Sequence, residues 1–163
     1  MKKFEIHDLH HLRAAEGWLE LGSHLEADAE LDNIAPELRS HPNVLEIRWH
    51  IYAKARKWDA CLEIARAVTQ AEPNLAGGWI HLAYAARRAK GGTVQAAWDL
   101  LHPVAERFPK EAIIPYNLAC YACQLGNSEE AKQWLEKALS VGDSARLKMM
   151  ALNEPDLEPI WRK

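Results

Sequence analysis

A helical pattern that recurs four times along 163 residues constrains this chain more than any other feature. Its clearest copy is the run YNLACYACQLGNSEEAKQWLEKAL, residues 116–139: an apolar helix face, a Leu125-Gly126 stop, an acidic restart and a second apolar face. Moved back along the chain, Ala131 aligns with Ala97, Cys61 and Ala27 at steps of 34, 36 and 34 residues. Leu135, Leu101, Ala65 and Leu31 keep the same steps, as do Ala138, Val104, Val68 and Ile34. Gly126, Gly92, Arg56 and Gly22 mark the turn inside each copy. A unit of this size cannot bury its apolar faces alone, so copies must stack, and a repeat at this period predicts an all-α solenoid.

The three- and four-residue spacing of apolar positions predicts paired helices over 7–21 and 24–34, 43–57 and 58–71, and 75–89 and 93–108. The fourth pair is the opening run, and a capping helix is expected over 144–152. Pro36 should begin a short turn rather than interrupt a helix, because an interior proline removes a hydrogen bond and clashes. First-helix positions Ala15, Trp49, Ala83 and Ala119 step by 34, 34 and 36, whereas second-helix positions step by 34, 36 and 34. The two extra residues of the third repeat therefore lie between its own helices, around Lys90-Gly91-Gly92. Repeat two carries Arg56-Lys57 where the others have glycine, so its turn is expected to be tighter or differently bent. The domain reading is one array over 1–163, with repeats over 8–42, 43–73, 74–109 and 110–142 and a cap over 143–163. The tail NEPDLEPIW should turn back and lay Leu157, Ile160 and Trp161 on that cap, since a stacked array needs capped ends.

Charge and composition narrow the function classes. No apolar run approaches the roughly 20 residues that span a bilayer, and no apolar segment follows the two starting lysines as a secretory signal requires. Three cysteines make no even disulfide framework, which suits a reducing cytoplasm. Residues 1–41 carry net −5, residues 42–92 net +4 and residues 93–163 net −2. A basic middle of that size falls short of a nucleic-acid stripe, so neither nucleic acid nor membrane is the expected partner.

The repeat resembles the tetratricopeptide repeat, whose unit reads Trp-x2-Leu-Gly-x2-Tyr, then Ala-x3-Phe, then Pro. Repeat three shows Trp79, Leu82, Ala83, Ala86, Ala97, Leu101 and Pro109 at those places. Repeat four shows Leu118, Ala119, Ala122, Ala131 and Leu135, with Pro115 in the Trp place and Gly142 near the final Pro place. Repeat two departs most, with Trp49 at a normally small position facing Cys61. The closing run with its PDLEPIW tail is similar to the last repeat of bacterial proteins of this family. The resemblance covers about residues 8–161 and implies a superhelix of four helix hairpins plus a C-terminal capping helix, with first helices lining a concave groove. In this register the peptide-binding groove positions are Glu46, His50, Ile80, Tyr84, Arg87, Arg88, Tyr116, Asn117 and Gln124, with Glu16 and Cys120 beside them. Tyrosine and arginine are typical anchors, and Arg87 with Arg88 could hold a carboxylate on an extended peptide. The family's carboxylate clamp for chaperone tails is not reproduced: only Asn117 stands at a comparable position, and Gly77 and His81 occupy the matching basic places.

Two constellations invite a chemical reading. Cys120 and Cys123 form a CxxC, but redox versions lie at a helix N-terminus and this pair is mid-helix. Packing is the expected role, and zinc would need two further ligands. His7, His10 and His11 could share one helix face, where exposed histidines would take metal only adventitiously. No nucleophile elbow, phosphate loop or acid–base pair is present. The expectation is a non-enzymatic bacterial cytoplasmic scaffold or adaptor that binds a protein or peptide and needs no cofactor or metal. The alternatives are a self-associating homo-oligomer and a metal- or redox-linked sensor.

Overall fold

The computed structural model describes residues 3–161, which form helices joined by short turns in two compact units divided between Asn74 and Leu75. In the first unit the order is α1 (Ile6–Glu20), α2 (His24–Asp32), a 3₁₀ turn (Pro36–Leu38), α3 (Pro42–Lys54) and α4 (Trp58–Ala71). The second unit holds α5 (Ala76–Ala86), α6 (Val94–Leu101), a 3₁₀ segment (His102–Arg107), α7 (Ile113–Gln124), α8 (Ser128–Val141), α9 (Ser144–Leu152), a 3₁₀ turn (Pro155–Leu157) and α10 (Glu158–Trp161).

In the first unit α1 packs on α2 and α3 on α4, while α3 also lies against α1 and α2. The repeating positions make the core: Ala15, Ala27, Leu31, Ile34 and Val44 are all fully buried. Trp49 is buried as well, and the Cys61 thiol donates to its carbonyl oxygen at 3.6 Å, so the large residue at the small place faces the cysteine as expected. Asp8 is a buried acid of this unit: its carboxylate accepts from the backbone N–H of Ala35 at 3.0 Å and of Glu5 at 3.1 Å. The Ala35 bond is the main cause that holds Asp8 below the ordinary carboxylate range. One side chain thus ties the first turn of α1 to the start of the Pro36 turn.

The turn after α3 corrects an expectation. Arg56 adopts φ +56°, beside +81° for Gly22 and +86° for Gly126. In each of these turns an N–H reaches back five residues: Ser23 donates to Trp18 at 2.9 Å, Lys57 to Tyr52 at 2.8 Å and Asn127 to Ala122 at 2.9 Å. That is the Schellman helix ending, which wants a left-handed residue. Repeat two does not bend differently; an arginine is forced into the glycine conformation.

In the second unit α5 ends at Ala86 rather than at residue 89, and residues 87–93 link it to α6. The insertion falls here, as the two sets of repeat steps require. A Cβ on Gly92 would lie 2.1 Å from the Ala86 carbonyl oxygen, so the backbones approach too closely there for any other residue. Thr93 then caps α6 by accepting from Ala96 N–H at 3.0 Å. The expected continuous helix to residue 108 breaks at Leu101, because Pro103 has no N–H to continue the ladder, and the chain goes on as 3₁₀ turns.

Helix α7 is the centre of this unit. Residues 114–116 and 118–123 are all buried, and α6, α8 and the Pro155–Leu157 turn pack around it. Asp143 caps α9 through two N–H bonds of 3.1 Å, as a capping helix at that place requires. The tail follows the expected path onto α9 only in part. Its end does so, with Trp161 Nε1 donating to the Ala151 carbonyl at 3.3 Å, but Leu157 is driven into the core against α7 and is fully buried.

Candidate functional site

The groove residues of the family register fall into two clusters, one in each unit. In the first unit, Glu16, Leu19 and Glu20 of α1 and Glu46, Ile47, His50 and Lys54 of α3 line an open groove of about 620 Å³. Glu46 and His50 are one helical turn apart and approach to 3.4 Å. The register places Glu16, Glu46 and His50 together, and the structure does the same. Glu20 and Lys54, one turn further along their helices, join them without having been expected. Three carboxylates over an apolar floor of Leu19 and Ile47 present an acidic surface.

The second unit carries the opposite sign. Tyr84, Arg87 and Arg88 fall at the C-terminal end of α5, where cations also complement the helix dipole. The Arg88 guanidinium stacks 3.5 Å from the centroid of the Tyr84 ring, and its Nη1 donates to the Tyr84 carbonyl at 3.0 Å. This pins a long side chain in one geometry. Arg87 turns the other way, over the Tyr121 ring at 5.6 Å. Its Nη1 lies 2.5 Å from Asp156 Oδ2, with 16% of the arginine and 22% of the aspartate side chain exposed. Burial works against the charge on Arg87, yet the Asp156 hydrogen bond and charge outweigh it and hold the group above its usual value.

The remaining register positions of this unit are placed by the same turn. Gln124 Nε2 donates to the Asp156 carbonyl at 3.1 Å. Asp156 N–H in turn donates to Glu154 Oε1 at 3.2 Å, which closes the Pro155–Leu157 turn. Tyr116 and Cys120, expected on an open groove, are 4% exposed. Burial chiefly raises both, with the Glu154 and Asp156 charges adding to it. Ile80 packs against the core, and Asn117 is half-buried on α7. Of the α7 groove positions, Tyr116 and Cys120 thus lie buried near the chain's own tail, and Gln124 bonds to it. The register brings Tyr84, Arg87 and Arg88 together but says nothing of Asp156, which pairs with Arg87; the signal available was a carboxylate in a proline-bounded turn following a cluster of arginines.

The two chemical constellations lie one in each unit. Cys120 and Cys123 are both buried and free. Burial pushes the Cys123 thiol up, while a backbone hydrogen bond from Ile160 pulls the other way. Raised thiols are the reverse of what a reactive pair needs. In the first unit the His7 and His11 rings meet edge to face at 4.5 Å, and His11 Nδ1 is 2.6 Å from Glu30 Oε2. His11 is therefore engaged by a carboxylate of α2, which lowers Glu30 below its ordinary range.

Helix pairs at this period, with small fully buried residues at Ala27, Cys61, Ala97 and Ala131, define a tetratricopeptide-repeat fold. Solved structures agree. The chain is similar to TTC0263, a thermophilic tetratricopeptide-repeat protein of Thermus thermophilus, at TM-score 0.77 and 18% identity over 94% of this chain and 81% of that one. YrrB, described as a tetratricopeptide-repeat protein with an unusual peptide-binding site, superposes at TM-score 0.66 and 17% identity over 90% and 75% of the two chains. MamA AMB-1 follows at 0.61 and 19%, over 81% and 76%. No protein-family model matches the chain, and no curated protein sequence matches it. The likeness at this identity is one of fold. No helix among the described residues is long and apolar enough to cross a membrane.

Proposed function

We propose that this chain is a non-enzymatic cytoplasmic adaptor that binds a protein or peptide through the groove faces of its first helices. The observation that carries the reading is the Arg87–Asp156 contact. The side chain expected to hold a carboxylate already holds one, in a partly dehydrated setting where the pair is stronger than at an open surface. Arg88 and Tyr84 extend that surface with a stacked cation and ring, a pairing frequent among binding anchors. The acidic groove of Glu16, Glu20 and Glu46 would accept a basic stretch of partner. YrrB, of similar fold, is described by its peptide-binding site, and a groove use here agrees with that. A bacterial source is consistent with the closing repeat, and three buried free thiols suit a reducing compartment.

The test is affinity capture from source-cell lysate, wild type against Tyr84→Ala/Arg88→Glu, with both proteins checked for helix content. A partner held by wild type and lost by the folded variant is the expected result. Full retention of every partner by the variant would move binding to another face.

A further inference from the structure

The tail that covers α7 is bound in the way a ligand is bound. Its carboxylate is gripped by Arg87 and the adjoining carbonyl is read by Gln124, while Leu157 fills a core position with no exposed surface. Charge, backbone and apolar contacts converge on two consecutive residues, Asp156 and Leu157, which follow the exposed Pro155. Further along, Ile160 packs against the same core, whereas Pro159 is exposed and Trp161 keeps 46% of its surface in solvent while its Nε1 donates to the Ala151 carbonyl. Resting on the reading of this surface as a peptide site, we propose that its preferred ligand is a proline-bounded Asp–aliphatic turn. A segment of another protein with that chemistry displaces the tail, residues 153–161.

The tail and a partner segment would be in tethered competition for one site. The tail leaves α9 at Leu152 and reaches the site within four residues, so its effective concentration is high, on the order of millimolar for a short flexible link. A partner segment sees only the fraction of molecules in which the tail is out, and its apparent affinity falls by that fraction. The site therefore selects segments that reproduce the carboxylate and the aliphatic side chain together. A lysine in place of the aspartate would leave Arg87 facing a like charge in a half-buried place. Two thiols lie beneath the tail, which makes its position measurable: Cys120 is 4% exposed, and Cys123 is 4% exposed with a bond from the Ile160 backbone.

The experiment uses full-length Asp156→Lys, with Asp156→Asn as a milder second variant should the first lose its helical spectrum. Thiol labelling of Cys120 and Cys123 reports the tail, and Cys61 of the first unit serves as the internal control. Labelling at the first two should rise about ten-fold over wild type, the change that goes with losing one partly buried pair. A synthetic peptide of residues 153–161 added in trans should bind the variant, restore protection and bind wild type about ten-fold more weakly. The same peptide with lysine for its aspartate should do neither, and Arg87→Glu should abolish binding. Labelling at the wild-type rate in both variants would overturn the proposal. So would an open tail that no peptide re-protects, since the segment would then be a structural closure; that result leaves the groove reading to the capture assay. A variant that dimerises by exchanging tails would overturn the assignment to a separate partner.

Discussion

Arg56 bears a backbone cost that its counterparts do not. A left-handed conformation costs a residue with a side chain roughly 1–2 kcal/mol, and glycine none. Lys57 N–H still closes on Tyr52 at 2.8 Å, so the motif has been kept at that cost. Arg56→Gly should stabilise the protein by about 0.5–1 kcal/mol, after subtracting the extra freedom glycine gives the unfolded chain. For a chain of this length that is a rise in Tm of about 2–3 °C. Thermal melting by far-UV circular dichroism checks it, and an unchanged or lower Tm would mean that Arg56 makes a compensating contact. The example also shows what was legible at this scale. The position of the turn at Arg56 follows from its place in the repeat, but its shape does not follow from the residue type, because backbone hydrogen bonding imposes the same ending here as at Gly22 and Gly126. The clustering of Tyr84, Arg87 and Arg88 at one end of α5 was legible for the same reason as the turn, since it follows from register. Asp156 was not, because its partner Arg87 is 69 positions away and periodicity says nothing about the tail.

At the scale of elements, most helices follow the apolar spacing, and the departures have local causes. α4 runs from Trp58 to Ala71 as the spacing predicts, while α6 stops early at a proline that the periodicity passes over. The junction of α8 and α9 depends on one residue. A Cβ at Gly142 would lie 2.6 Å from the Ala112 Cβ and 2.8 Å from Leu147 Cδ1. The first of these atoms is fixed to backbone and cannot swing away. Gly142 thus allows the end of α8 to pass close to the start of α7 while Asp143 caps the next helix. Gly142→Ala should destabilise the protein by about 1–3 kcal/mol, the usual cost of forcing extra volume into a packed place. Gly77→Ala is the control, since nothing lies within 4 Å of its added Cβ. Glycine within a helix costs up to about 1 kcal/mol relative to alanine, so the control should be neutral or stabilising. Urea unfolding of both variants decides it; equal midpoints would show that the close approach relaxes without cost.

For the whole molecule the consequence of repeat construction is that stability is local. Each unit has its own apolar cluster, one around Leu31 and Ile34, the other around Leu101, Ile114, Leu118 and Leu157. In such arrays contacts are between neighbours, and local openings differ in free energy from place to place. The three cysteines sample this without added probes. Cys61 is fully buried in the first unit, and burial pushes its thiol up to about 11; Cys120 and Cys123 are buried in the second. Because the thiolate is the reactive form, each thiol should label only when its surroundings open and its pKa returns toward the ordinary range near about 8.5. Native protein at a pH of about 8 should therefore show almost no immediate reaction with an aromatic disulfide reagent. Labelling should then proceed in two phases, one equivalent from Cys61 and two from the CxxC pair, with different dependence on added urea. Cys61→Ala should remove the single-equivalent phase and leave the other. A single phase of three equivalents, with one urea dependence, would show that the chain opens as one cooperative body and that repeat-by-repeat stability does not describe it.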